Sequence, residues 1–207
     1  SFNESDVKAA YGRVRPAVAQ PLQFRRIPTG PKNTGTFGAY YTYLKYDEDY
    51  DRQFRMGPDA DVVVTFDEYP FRLTYWHGIN YYPIWWSEND IGLMHEAAET
   101  HGPVGCQEAM MDRQCRYSHV RIVENTEARV VIHWRNALSN ILYGLACEDP
   151  NTGWGDWCDD YYTIYPDGVA ARKVTLYSSC LEKWHSFCLL YTSATPRDVS
   201  TSRMPSS

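Results

Sequence analysis

The chain has 207 residues, a formal net charge of −6 and 43% hydrophobic residues, enough for one domain with a real core. An acidic protein whose Lys and Arg are scattered lacks the basic face that nucleic-acid binding needs, so no nucleic-acid partner is expected. No apolar run approaches the ~20 residues of a membrane helix, so no membrane partner is expected either.

Residues 1–33 are rich in Pro, Gly and Arg without periodicity and read as an irregular N-terminal segment. From Phe37 short β-like runs alternate with turn signals. The predicted strands are Ala39–Lys45, Asp61–Phe66, Phe71–His77, Pro83–Trp86, Ile91–Glu96, Arg116–Val123, Arg129–Leu138, Tyr161–Tyr165 and Val169–Tyr177. Asp67-Glu68-Tyr69-Pro70, Asn125-Thr126-Glu127 and Pro166-Asp167-Gly168 supply turns between them. Leu138–Leu145 fits a short helix or another strand. Regular short strands with tight turns predict an all-β fold, an antiparallel β-sandwich of the supersandwich kind, over residues 34–187. That domain is expected to be an incomplete fragment of a longer protein.

Residues 188–207 stand apart. Cys188-Leu189-Leu190-Tyr191-Thr192-Ser193 is what TGT-CTC-TTA-TAC-ACA-TCT encodes, which resembles a transposon-end sequencing adapter. Ser202-Arg203-Met204-Pro205-Ser206-Ser207 fits the read-through of the same adapter, although Ala194 and Thr195 depart from it. The segment is expected to be a non-native, disordered tail and is set aside from fold and function.

One hairpin carries the chemistry. In Arg116–Val123 the side chains of Tyr117, His119 and Arg121 alternate with Ser118, Val120 and Ile122. In Arg129–Arg135, Val131, His133 and Arg135 alternate with Val130, Ile132 and Trp134. Sharing an apolar face places His119 opposite or near His133 and Tyr117 near Arg135. The opposite face then displays imidazoles, guanidinium groups and a phenol. Arg121 and Arg135 can clamp a carboxylate or sulfate, and aromatic rings can stack on sugars. His119, His133 and Tyr117 supply the residue types for proton transfer in uronate β-elimination. His77, Asn80 and Tyr82 form a second, substrate-binding group beside the same cleft. Against this stands the plainer reading of each His as a hydrogen-bonded structural residue.

Cys106 with Cys115, and Cys147 with Cys158, bracket polar loops and predict two local disulfides in an extracellular protein, with Cys180 left over. No Cys-x-x-Cys or His pair has zinc spacing, so no metal site is expected. The loop 148–160 contains five acids and could hold Ca²⁺, although EF-hand spacing is missing and a solvated acidic turn is the default. Asp90, Glu96 and Glu99 are too scattered to suggest a glycosidase pair.

The blocks 114–124, 128–135, 153–157 and 161–169, with 25–31 and 75–78, resemble large secreted proteins that join such a region to a LamG-like, concanavalin-type jelly-roll module. Some of these are similar to ulvan lyases, which act on a sulfated, uronate-containing polymer. The resemblance implies an extracellular β-sandwich contacting an anionic polysaccharide, either as a lyase or as a non-catalytic carbohydrate-binding or adhesion domain. It also implies a LamG-like module in the same parent chain. Where such proteins tend to show Trp-Arg-Gly, this chain has Trp76-His77-Gly78, which weakens the role given to His77.

Overall fold

The computed structural model describes residues 37–45, 60–87, 91–94 and 97–187. The readings of 1–33 as irregular and 188–207 as adapter-derived, and Asp90 and Glu96, lie outside these residues. Among the described residues the chain runs through β1 (Gly38–Thr42), β2 (Asp61–Thr65), β3 (Arg72–Tyr75), β4 (Pro83–Trp86), β5 (Gly92–Met94) and β6 (Ala98–Gly102). It continues through β7 (Gly105–Glu108), β8 (His119–Asn125), β9 (Val130–Ala137), β10 (Trp157–Ile164), β11 (Ala170–Tyr177) and β12 (His185–Phe187). Two single 3₁₀ turns, His77–Ile79 and Ala109–Met111, are the helical elements described. None of them is long and apolar enough to cross a membrane.

Every strand pair is antiparallel. β1 to β5 form one meander in chain order, β8 to β11 form a second, and β12-β6-β7 make a small third sheet. The first two pack face to face. Val62, Val64, Phe66, Leu73 and Tyr75 from one side meet Val130, Ile132, Trp134, Tyr162 and Ile164 from the other. Edge-on ring contacts join the layers, Tyr75 to Tyr162 at 5.7 Å and Tyr82 to Trp134 at 5.0 Å. The fold is the expected all-β sandwich.

Alternation explains most of this. In β9, Val130, Ile132 and Trp134 point inward because the side-chain period is two. β2 departs from alternation, since Val63 on its far side is covered by Leu44 and Trp76. A strand buried on both faces reads as a continuous apolar run. Gly168 (φ 83°) supplies the left-handed position of the β10–β11 turn, where Asp167 Oδ1 accepts from the Val169 amide.

β8 is the edge of its sheet, and β1 fastens to it from the other layer. Asn125 accepts from the Ala39 amide at 3.0 Å and donates to the Ala39 carbonyl at 2.8 Å. The Tyr41 hydroxyl accepts from the Ile122 amide at 2.9 Å. Such contacts satisfy backbone groups that an edge strand would otherwise leave open.

The expected disulfides are corrected. No disulfide links the described cysteines. Cys106 points toward Glu99, Cys115 donates to the His77 carbonyl at 3.2 Å, and Cys158 faces a small core with Ala98, Leu138 and Ala146. The thiol neighbour of Cys147 is Cys180, within hydrogen-bonding reach. Residues close in sequence thus point in different directions on strands and turns, and proximity in chain order misjudged which thiols meet.

Candidate functional site

The outer face of the β8–β11 sheet is fixed by the inward turn of Val120, Ile122, Ile132, Trp134, Tyr162 and Ile164. Two rows of side chains cross it. His119 faces Arg135, then Asp159, then Thr175; Arg121 faces His133, then Tyr161, then Lys173. Arg121, Arg135, His119 and His133 therefore share one side of one sheet.

His119 and His133 are not directly opposed: His119 faces Arg135 and Arg121 faces His133, which leaves the two imidazoles diagonal neighbours on one face. Two local features set this. Thr126 to Arg129 close a four-residue turn, and a bulge at Val123 adds a residue to β8. Tyr117 and Arg135 do meet, through the Trp157 ring. Tyr117 lies edge-on to it at 5.9 Å, and the Arg135 guanidinium sits 4.9 Å from its centroid.

The polar groups form a chain. Arg121 Nε donates to His133 Nδ1 at 3.1 Å, so the ring proton of a neutral His133 lies on Nε2, which donates to Asp159 Oδ1 at 2.6 Å. Arg135 Nη1 donates to both Asp159 oxygens, at 2.9 and 2.8 Å. The His133 ring stacks on Tyr161, centroids 4.4 Å apart and planes within 9°. His133 is 8% exposed, while His119, Arg121 and Lys173 stand open to solvent. A cavity of about 240 Å³, lined by Tyr41, Ala60, Tyr81, His119 and Val120, lies beside the β8 edge. Burial pushes the Tyr117 phenol up, with the Arg116 charge opposing it.

Burial would raise Asp159, but its hydrogen bonds from His133 and Arg135, together with the Arg135 charge, hold it below the usual carboxylate range. A lowered folded value stabilises the fold above the unfolded carboxyl value of about 3.9, and that contribution is lost as pH falls through the folded value. Asp159→Asn should therefore flatten the loss of stability between about pH 4 and pH 2, read as urea midpoints against pH. An unchanged acid limb would show that the carboxylate is not coupled to folding.

His77, Asn80 and Tyr82 do not join this face, which corrects their placement in a shared cleft. His77 is buried, its Nδ1 2.6 Å from Asp61. Asn80 (φ 63°) donates to the Ala109 carbonyl at 2.7 Å, and Tyr82 packs on Trp134 with its hydroxyl donating to Glu108 at 3.0 Å. Each is consumed by the core. The acids of 148–160 also diverge: Asp159 turns outward, Asp160 inward to Arg172, and Asp156 pairs with His185 at 2.8 Å. Glu148 and Asp149 accept backbone amides of their own turns.

Sequence reasoning missed Trp157, Asp159, Tyr161, Lys173 and Thr175 on this face. The signal was present, because Tyr162 and Ile164 point inward and the odd-numbered neighbours must then point out. Comparison of the chain with protein-family models, with curated proteins and with solved structures finds no match.

Proposed function

We propose that this sandwich is a carbohydrate-contacting domain whose outer β8–β11 face holds an anionic polysaccharide, and that it binds the polymer without cleaving it. The observation that supports the reading is the exposed pair Arg121 and Lys173, flanking the stacked His133 and Tyr161 in one cross-strand row. The two cations suit carboxylate or sulfate groups, and Trp157 and Tyr161 suit sugar faces. Arg135 is already neutralised by Asp159 and acts more as a brace for the row. In this reading the domain works outside the cell, beside a LamG-like module of the same parent chain.

Binding is favoured over elimination for a chemical reason. Both His133 nitrogens are engaged, so it offers no lone pair to a substrate proton. Tyr117, with its phenol pushed up, is poorly suited to act as a base. His119, in the neighbouring row, is left as the exposed imidazole described on this face, and the lyase reading now rests on it. Titration of polygalacturonate and of a sulfated uronate polymer by calorimetry tests both. Arg121→Ala and Lys173→Ala should each weaken binding about tenfold, the share of one charge-assisted hydrogen bond, and added salt should weaken it further. Unchanged affinity in both variants would sink the platform. A rise of absorbance near the ultraviolet edge, abolished by His119→Ala, would establish elimination instead.

A further inference from the structure

The third sheet carries a separate arrangement. β6 and β7 form a tight hairpin in which Glu99 faces Glu108 and His101 faces Cys106. Ala98, Thr100 and Gln107 are buried on one side, so alternation brings Glu99, His101, Cys106 and Glu108 to the other. There the donor atoms of Glu99, Cys106 and Glu108 all lie within 4.8 Å of one another. Carboxylates directly opposed across a strand pair repel. Neither is paired with a Lys or Arg among the described residues: the Cys106 thiol donates to Glu99 at 3.7 Å, and the Tyr82 hydroxyl donates to Glu108 at 3.0 Å. Tyr82 is fully buried, so it holds Glu108 from below and restricts where that carboxylate can go. His101 stands across from Cys106, its ring stacked on Trp184 at 5.2 Å.

We propose that Glu99, Cys106 and Glu108 form a binding site for a divalent cation of the zinc class, with His101 as the fourth donor once it swings off Trp184. The donor set decides the class. Calcium and magnesium take oxygen ligands, whereas zinc accepts thiolate, imidazole and carboxylate together. On binding, the Cys106 S–H bond breaks, sulfur bonds the metal and the proton passes to solvent. Because that proton is released on binding, affinity should increase with pH.

Titration of the untagged full chain with Co²⁺ as a spectroscopic substitute tests this. One Co²⁺ per chain should give a thiolate-to-metal absorption band in the near ultraviolet, displaced by one equivalent of Zn²⁺. Cys106→Ser should abolish the band, and Glu99→Gln should weaken Zn²⁺ binding by at least about tenfold, with circular dichroism confirming the fold. Should the serine variant not fold, Glu99→Gln carries the test with the thiol intact. Absence of the band, its persistence in folded Cys106→Ser, or unaltered Zn²⁺ affinity in Glu99→Gln overturns the site. None of these results depends on the glycan reading.

Discussion

Replacing Asp61 with alanine is expected to cost about 3–5 kcal/mol, the combined penalty of leaving several buried donors without their acceptor. Asp61 is fully buried at the start of β2. Its Oδ2 accepts the Leu44 amide at 2.6 Å, and its Oδ1 accepts the His77 amide at 2.7 Å and faces His77 Nδ1 at 2.6 Å. One carboxylate thus anchors the chain leaving β1 and the 3₁₀ turn leaving β3. Truncation leaves two amides and an imidazole in the interior without that acceptor, and each buried unsatisfied donor carries its own penalty. Asp61→Asn keeps the shape but turns an amide N–H toward these donors, and should recover only part of the loss. Urea unfolding measures both variants. A loss below about 1 kcal/mol for Asp61→Ala would show that the cluster relaxes or hydrates freely.

Arg172→Met should be similarly severe at neutral pH, by about 3–5 kcal/mol, and its cost should depend on pH. Arg172 Nη2 donates to Asp160 Oδ2 at 2.6 Å on the inward face of the β10–β11 pair, and Asp160 is fully buried. Burial pushes the Asp160 carboxyl up despite the pull of Arg172 in the other direction. A raised folded value favours the fold most below the unfolded carboxyl value, and this advantage is lost as pH rises through the folded value. Without Arg172 the folded value must rise further, so acidification should restore part of the lost stability. Replacing both residues with apolar ones should come out near neutral, since the desolvation cost goes with the pair. Unfolding at two pH values separates these outcomes. Equal losses at both would mean that Asp160 stays ionised in the variant.

The fold was legible where apolar alternation was strong. β4 falls on the predicted Pro83–Trp86, and β2, β9 and β11 begin or end within one residue of expectation. β6, β7 and β12 gave no signal: Ala98-Glu99-Thr100-His101-Gly102 and Gly105-Cys106-Gln107-Glu108 hold few of the branched or aromatic residues that mark strands. The first half of β10 was hidden differently. Trp157-Cys158-Asp159-Asp160 reads as part of an acidic turn because carboxylates seldom occupy strand interiors. They do here because His133 and Arg135 reach one and Arg172 the other, and such partners are visible only in three dimensions. For the site, the period of two was enough to put His119, Arg121, His133 and Arg135 on one side. The pairing was not readable, since the bulge at Val123 leaves no mark in the hydrophobic pattern. His77, Asn80 and Tyr82 were misplaced because polar and aromatic types serve a packed interior as readily as a cleft.

The Asn125 clasp on Ala39 has a kinetic consequence. Within each meander the strands pair with chain neighbours, but this clasp spans 86 positions. Closing so long a loop costs entropy that hairpins avoid, so the two ribbons should gain structure separately and dock late. Late contacts govern the rate of escape from the native state rather than the rate of reaching it. The lifetime of the folded molecule is thus set in part by one amide side chain at the rim.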